Sequence, residues 1–443
     1  MSKLKEYQIP TINKIDFAMA SKYGSPLKTQ KIRTEIDGVS VNELTEKFGS
    51  PLFVFSQRKM EDKYKTLYNA FSSRYPDVTF GWSYKTNYLN AICKVFHDLG
   101  SIAEVVSEFE YQKARALGIE GKDIIFNGPY KPKEALKIAV QENAKIHIDN
   151  LFELSDLEEI ADELDVKIPV AIRINMDTGV YPQWSRFGFN YENLEAYEAI
   201  KRMYQKGKIY LVGIHSHIGT FMLDATPYKV ATTKIMELKA QVEEDFGANI
   251  EYIDLGGGFA SKSHLKGIYQ SPEVIVPTAD DYANAITNAI YDNNKSDKLP
   301  KLYLETGRHL IDEAGYLLTS VWGHKRAPDG KKGYILDAGV NLLYTSTWYN
   351  FTVEIDRHYK EQNEASSLNG PLCMNIDVIE ESVMLPPLKR NSVISLSPVG
   401  AYNYTQAMQF IRYKPSAVLI DLDGNARLIK KEDDLSTVNY REV

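Results

Sequence analysis

Between about residues 50 and 310, short apolar runs alternate with longer amphipathic segments, and this alternation narrows what the chain can fold into. Eight runs read as strands: Val78–Tyr84, Ile102–Val106, Ile124–Asn127, Lys145–Asp149, Pro169–Asn175, Leu211–His217, Ile250–Leu255 and Leu302–Glu305. Helix-period segments separate them. Ala91, Ile92, Val95, Phe96 and Leu99 fall on one helical face, as do Phe152, Leu154, Leu157, Ile160 and Leu164. Ser107-Glu108-Phe109-Glu110 is a capping-box pattern opening a helix that stops at Gly118. Eight βα units predict an α/β chain with a (β/α)8 barrel rather than an open sheet. After residue 312 the texture changes. Gly315–Trp322, Gly333–Leu336, Ser392–Ser397 and Ala417–Leu422 read as strands joined by turns, which predicts a separate β domain. The expected division is 1–47 packing with the β domain, 48–312 as the barrel, and 313–443 as the β domain. The polar stretch Asp356–Gly370 reads as a mobile excursion.

Composition excludes several classes. The net charge is -7 and no basic patch stands out, which argues against nucleic acid as a partner. No window is apolar for long enough to span a bilayer, and the first residues lack the apolar core of a signal peptide. Only Cys93 and Cys373 occur, so no disulfide framework is expected and a reducing cytoplasm fits best.

In a barrel of this kind, chemistry sits on the loops after the strand C-termini. Unusual polar residues recur there. Lys85 follows the first strand in "GWSYKTN". Arg173 and Asn175 end the fifth, and His215 and His217 end the sixth. Gly256, Gly257 and Gly258 follow the seventh, and Glu305 and Arg308 follow the eighth. Each has an ordinary reading. A strand-end lysine can be a solvated charge, a triple glycine a tight turn, and a histidine part of the core. Glu305 and Arg308 could simply pair. No histidine has carboxylate or cysteine partners at metal-ligand spacing, so no metal is expected. Taken together, the parts are an amine, an anion cradle, a flat ring and a carboxylate. Pyridoxal phosphate (PLP) requires these groups.

The chain resembles the fold-type III PLP-dependent decarboxylases, the family of diaminopimelate and ornithine/arginine decarboxylases. The likeness runs from "GSPLFVFS" at residues 49–56 to "VGAYNYTQ" at 399–406. The resemblance implies an alanine racemase-like barrel and the following roles. In "YKTN", Lys85 forms the Schiff base. In "HSHIGT", His217 stacks on the ring and Thr220 contacts the phosphate. "DLGGGF" supplies the phosphate loop, Gly256 to Gly258. In "ETGR", Glu305 meets the pyridine nitrogen and Arg308 lies near the phosphate, with Thr306 replacing the family's proline. Tyr402 in "GAY" is a further phosphate contact. Cys373 in "GPLCMNID" reaches the partner subunit's active site in a head-to-tail homodimer and helps protonate the substrate carbon; its ordinary reading is an inert buried thiol. Arg186 could pair with Asp377 across that interface. Lys85, Cys373, His217 and Glu305 are thus the expected catalytic set, acting through a quinonoid.

Substrate recognition departs from the pattern. Thr345-Ser346 stands where diaminopimelate decarboxylases usually carry arginine-proline, and Met374 replaces a glutamate. Asn350 and Met374 are neutral where ornithine-type enzymes place acids. A buried distal charge without a partner is costly. With Tyr349, these residues form the expected substrate contacts, among aromatic neighbours Tyr344, Trp348 and Tyr404. The expectation is therefore decarboxylation of an amino acid other than diaminopimelate or ornithine, such as a siderophore or specialised-metabolite precursor, free or carrier-bound. A racemase on the same scaffold, or a non-catalytic decarboxylase-like regulator, is the alternative.

Overall fold

The computed structural model describes residues 29–443. Eight parallel strands close into a barrel: β1 (Val78–Ser83), β2 (Ile102–Val105), β3 (Ile124–Phe126), β4 (Lys145–Ile148), β5 (Ile168–Asn175), β6 (Ile209–His215), β7 (Tyr252–Asp254) and β8 (Lys301–Thr306). Each pairs with the next, and β8 returns to β1, with Leu302 opposite Val78 and Thr306 opposite Trp82. The strands are nearly continuous apolar runs because helices cover their outer face. Helices Asn90–Asp98, Leu151–Leu164 and Thr226–Phe246 bury residues at helical spacing. Phe152 is the exception on the expected face and is exposed. Ser107 caps helix Glu108–Ala116 by accepting from the Glu110 N–H. The Glu110 carboxylate accepts from Val106 N–H at 2.8 Å instead of closing the box on Ser107.

The spine of the second domain is the strand Gly315–Arg326. It pairs antiparallel with Leu52–Ser56, Val393–Ser397 and Lys332–Leu336. Leu52–Ser56 also pairs in parallel with Ser416–Ile420. This strand therefore belongs to the β domain, although it lies inside the segment 48–312 expected to form the barrel. Its partners are hundreds of residues away, and a short apolar run does not declare which sheet it joins. The expected N-terminal segment lies largely outside the described residues. In its described part, Ile32 bridges Ile355 and Arg33 pairs with Glu354 at 2.7 Å. The stretch read as a mobile excursion contains a strand, Glu364–Asn369, parallel to Lys332–Leu336. Its side chains Ser366 and Leu368 are fully buried. One large apolar residue in six gave too little alternation to reveal it. No helix among the described residues is long and apolar enough to cross a membrane.

The domains meet where two glycines cross. A Cβ on Gly400 would lie 1.9 Å from the Ile311 carbonyl oxygen, and one on Gly315 would lie 2.3 Å from Gly400 Cα. Gly400 N–H donates to the Asp312 carbonyl at 3.0 Å, and Tyr402 N–H to the Thr86 carbonyl at 2.9 Å. This crossing brings Tyr402, at φ +65°, to the C-terminal end of the barrel. Gly400→Ala should therefore lower stability by about 1–3 kcal/mol or more, because backbone must move on both sides. Urea unfolding measures it. Gly323→Ala, where nothing lies within 4 Å of the new carbon, is the control and should shift the midpoint little.

Candidate active site

Loops at the C-terminal ends of the strands, closed over by the β domain, line a cavity of about 680 Å³. Lys85 enters it from the end of β1 and Glu104 from β2. Lys85 Nζ lies 2.5 Å from Glu104 Oε2. Burial alone would depress the lysine, but the carboxylates of Glu104 and Glu305 outweigh it and hold the ammonium above its ordinary value. Burial would raise Glu104, yet the adjacent Lys85 keeps it below the usual carboxylate range. Asn127, just past β3, donates through Nδ2 to Glu104 Oε1 at 3.1 Å and also to Glu305 Oε1. One amide thus links the two acids.

Glu305 forms the floor. His215 Nε2 lies 3.2 Å from its Oε1. Burial first, then Asp254 and Glu104, push Glu305 well above the usual range. Asp254 accepts from Gly256 N–H at 2.8 Å and is pushed up to about 7, by burial first and then by Glu104. Burial, aided by Arg173, holds His217 far below its ordinary value, and burial with His147 does the same to His215. Both imidazoles are neutral. His217 Nδ1 accepts from Gly257 N–H at 3.0 Å, which places its proton on Nε2. The sequence showed no metal-ligand set. In the fold, His147, His215, Asp254 and Glu305 bring donor atoms within 4.8 Å of one another. They come from four different strands, so linear spacing hid them.

The glycine loop is used in a way the motif did not indicate. The Gly256 and Gly257 N–H groups are already bound to Asp254 and His217. A Cβ on Gly257 would lie 2.1 Å from the Glu305 carbonyl oxygen, and one on Gly256 would lie 2.6 Å from His217 Nδ1. These two glycines permit β7, β8 and the His217 loop to approach one another. Both of these N–H groups face partners inside the barrel. Arg308 does not pair with Glu305. Its carboxylate is Asp312, at 3.7 Å. Arg308 NH1 donates to Tyr349 OH at 3.1 Å, and the guanidinium lies 4.8 Å from the Tyr402 ring centre. Its Nε is buried without a hydrogen-bond partner.

Lys85, His217, Thr220, Glu305, Arg308, Tyr349 and Tyr402 therefore converge on one cavity, as the sequence expected. Thr345, Asn350 and Met374 do not reach it. Thr345 is fully buried, with its N–H and hydroxyl both donating to Asn403 Oδ1 at 3.0 and 2.9 Å. Asn350 is exposed and pairs in a short ladder opposite His264. Cys373 and Met374 are exposed on a loop of the β domain, so Cys373 is not a buried thiol. Asp377 uses both oxygens within its own chain, accepting from Val340 and Leu372 N–H at 2.8 and 2.7 Å, while Arg186 lies over the Phe187 ring. Glu104, Asn127 and Lys266 line the cavity and were missed. Glu104 had one signal, a lone charge inside an apolar strand.

The family model for the pyridoxal-binding domain of pyridoxal-dependent decarboxylases matches residues 59–312. The chain belongs to this family. The diaminopimelate decarboxylase of Methanocaldococcus jannaschii is 32% identical over 92% of this chain and 94% of its own. That of Aquifex aeolicus is 30% identical over 90% of this chain and 93% of its own. A crystal structure of the M. jannaschii enzyme in complex with L-lysine superposes with a TM-score of 0.84 at 29% identity, covering 94% of this chain and 98% of that one. These relatives overturn the expectation of a substrate other than diaminopimelate: the nearly full-length likeness is to diaminopimelate decarboxylases, and Thr345 and Asn350, two of the neutral residues behind that expectation, lie outside the cavity. The protein is a PLP-dependent carboxy-lyase acting on an amino acid. The decarboxylase's cavity fits the cofactor. An amine stands at the mouth, a carboxyl at the floor, and a buried arginine nitrogen lacks a partner.

The sign of one pH effect follows. Folding raises Asp254 to about 7, so between its ordinary value near 4 and that point the folded state holds an extra proton. Stability must fall as pH rises through this window. Buried Glu110, also pushed up to about 7, acts with the same sign. Asp254→Asn should flatten the decline between about pH 4 and 7 in thermal unfolding of cofactor-free protein. An unchanged slope contradicts the assignment.

Proposed function

We propose that the decarboxylase acts on diaminopimelate, releasing one carboxylate as carbon dioxide and leaving lysine. The observation that carries this is the nearly full-length likeness to diaminopimelate decarboxylases, joined to a cavity with its lysine, acid floor and arginine in place.

Lys85 is the amine that holds the cofactor, and Glu104 keeps its nitrogen protonated and aimed into the cavity. Glu305 faces the ring nitrogen, steadied by Asn127 and His215. Neutral His217, tied through Nδ1 to Gly257, packs on the ring. Arg308, with Tyr402 beside it and Thr220 lining the same cavity, holds the phosphate. Bound PLP supplies an electron sink for the pair left when the carboxylate departs. The β domain and the loop carrying Trp184 and Phe187 shield the reacting carbon from water. That carbon then takes a proton from Lys85 Nζ or from the partner subunit's Cys373. Cys373 and Met374 sit on an exposed loop and do not line their own subunit's cavity, which suits a homodimer with shared sites.

Carbon dioxide release from meso-diaminopimelate, with an equal yield of lysine, is the test; no release by PLP-loaded protein sinks the reading. Glu305→Gln should keep PLP bound but lower kcat by about a hundredfold, because the stabilisation it gives is strongest as charge moves into the ring. Mixing Lys85→Ala with Cys373→Ala protein should restore activity beyond the sum of the two, since one site of the mixed dimer is then whole. No restoration argues against shared sites.

A further inference from the structure

Four cations line the cavity: Lys85, Arg173, Arg308 and Lys266. Three already face an acid. Lys85 lies 2.5 Å from Glu104, Arg173 3.6 Å from Asp149, and Arg308 3.7 Å from Asp312. Those acids have side chains no more than 5% exposed. Under the proposed function Lys85 and Arg308 are taken up by the cofactor, and moving Arg173 to a ligand would leave the buried Asp149 carboxylate unpaired. Lys266 differs. Among the described residues no carboxylate lies within ion-pair distance of its ammonium. The acid whose field reaches it, Glu380, accepts instead from Phe351 N–H at 3.3 Å.

The backbone around Lys266 is fixed. His264–Leu265 pairs antiparallel with Tyr349–Asn350. Lys266 N–H donates to the Trp348 carbonyl at 2.8 Å, and Ile268 N–H to the Leu265 carbonyl at 3.3 Å. Leu265 to Ile268 is thus a tight turn, with Gly267 at φ +80° in its third position, where a side chain would be strained. Lys266 is the second residue of that turn, exposed, on the cavity wall beside Trp348. A long flexible side chain on a rigid corner can reach inward while its charge stays hydrated until a ligand arrives.

We propose that Lys266 binds the distal carboxylate of the substrate and so selects dicarboxylic over monocarboxylic diamino substrates. This rests on the diaminopimelate reading. Diaminopimelate keeps one carboxylate throughout the reaction, and the product lysine carries the same group. A charged distal group needs a counter-charge that is not already committed, and Lys266 supplies it. Thr345 cannot, being buried against Asn403.

The test uses the PLP-loaded full chain. Lys266→Met should raise KM for meso-diaminopimelate by about tenfold or more while kcat stays within about threefold, since the contact is equal in ground and transition states. Inhibition by L-lysine should weaken by the same factor. Inhibition by cadaverine, which lacks the carboxylate, should not change, nor should PLP affinity. Lys266→Arg should restore most of the loss. Unchanged KM and lysine inhibition in Lys266→Met, with active wild type, overturns the role of Lys266 alone. Equal weakening of lysine and cadaverine also overturns it, because that marks a general disturbance of the loop. A wild type that releases no carbon dioxide from diaminopimelate overturns the substrate reading itself.

Discussion

The contact between Lys85 and Glu104 sets the conditions for the rest of the cavity. Adjacent barrel strands deliver an amine and an acid to within 2.5 Å. The Glu104 side chain is 1% exposed, while that of Lys85 is 32% exposed at the mouth. A carboxylate buried that far is tolerated only beside a positive charge. The acid therefore keeps the lysine charged and in place, and the lysine keeps the acid ionised. The influence extends inward. Asn127 joins Glu104 to Glu305, and a third acid, Asp254, lies beyond. Negative charge accumulates toward the floor, where burial raises the affinity of Glu305 and Asp254 for protons. The cavity is thus graded from a fixed cation at its mouth to proton-holding acids at its base. A ring nitrogen that must stay protonated suits that base.

The opposite wall belongs to the β domain. Asp312 is completely buried and accepts from Ser261 and Ser263 hydroxyls at 2.6 and 3.0 Å. It also accepts from Ala401 N–H at 3.3 Å and faces Arg308. One carboxylate therefore joins the loop after β7, the exit of β8 and the turn carrying Tyr402. The Gly315–Gly400 crossing lets the two domains come close enough for this network to form. Packing at the seam and geometry at the site are consequently not separable: Arg308 and the turn carrying Tyr402, the proposed phosphate contacts, are held by the carboxylate that joins the domains.

Much of this was legible in the chain. The barrel strands stood out because both faces are covered and the runs are almost wholly apolar. Lys85, His217, Glu305 and Arg308 were visible because polar residues at strand ends break that pattern. What stayed hidden was pairing across long separations. Leu52–Ser56 gave no sign that it lies between Gly315–Leu318 and Ser416–Ile420. The His147, His215, Asp254 and Glu305 cluster is likewise assembled only by barrel closure. The substrate was misread for a related reason. Thr345 was weighed as a pocket residue by position in a motif, but it is buried and hydrogen-bonds to Asn403. Lys266, between a two-residue strand and a glycine, carried no pattern that distinguishes it from a solvated loop lysine.

Borohydride reduction of the PLP-loaded protein, followed by peptide mass mapping, tests the central claim most directly. If Glu104 holds Lys85 as the cofactor's amine, the pyridoxyl mass is found on the peptide containing Lys85 and on no other. A label on a different lysine, or loaded protein that yields none, contradicts the account.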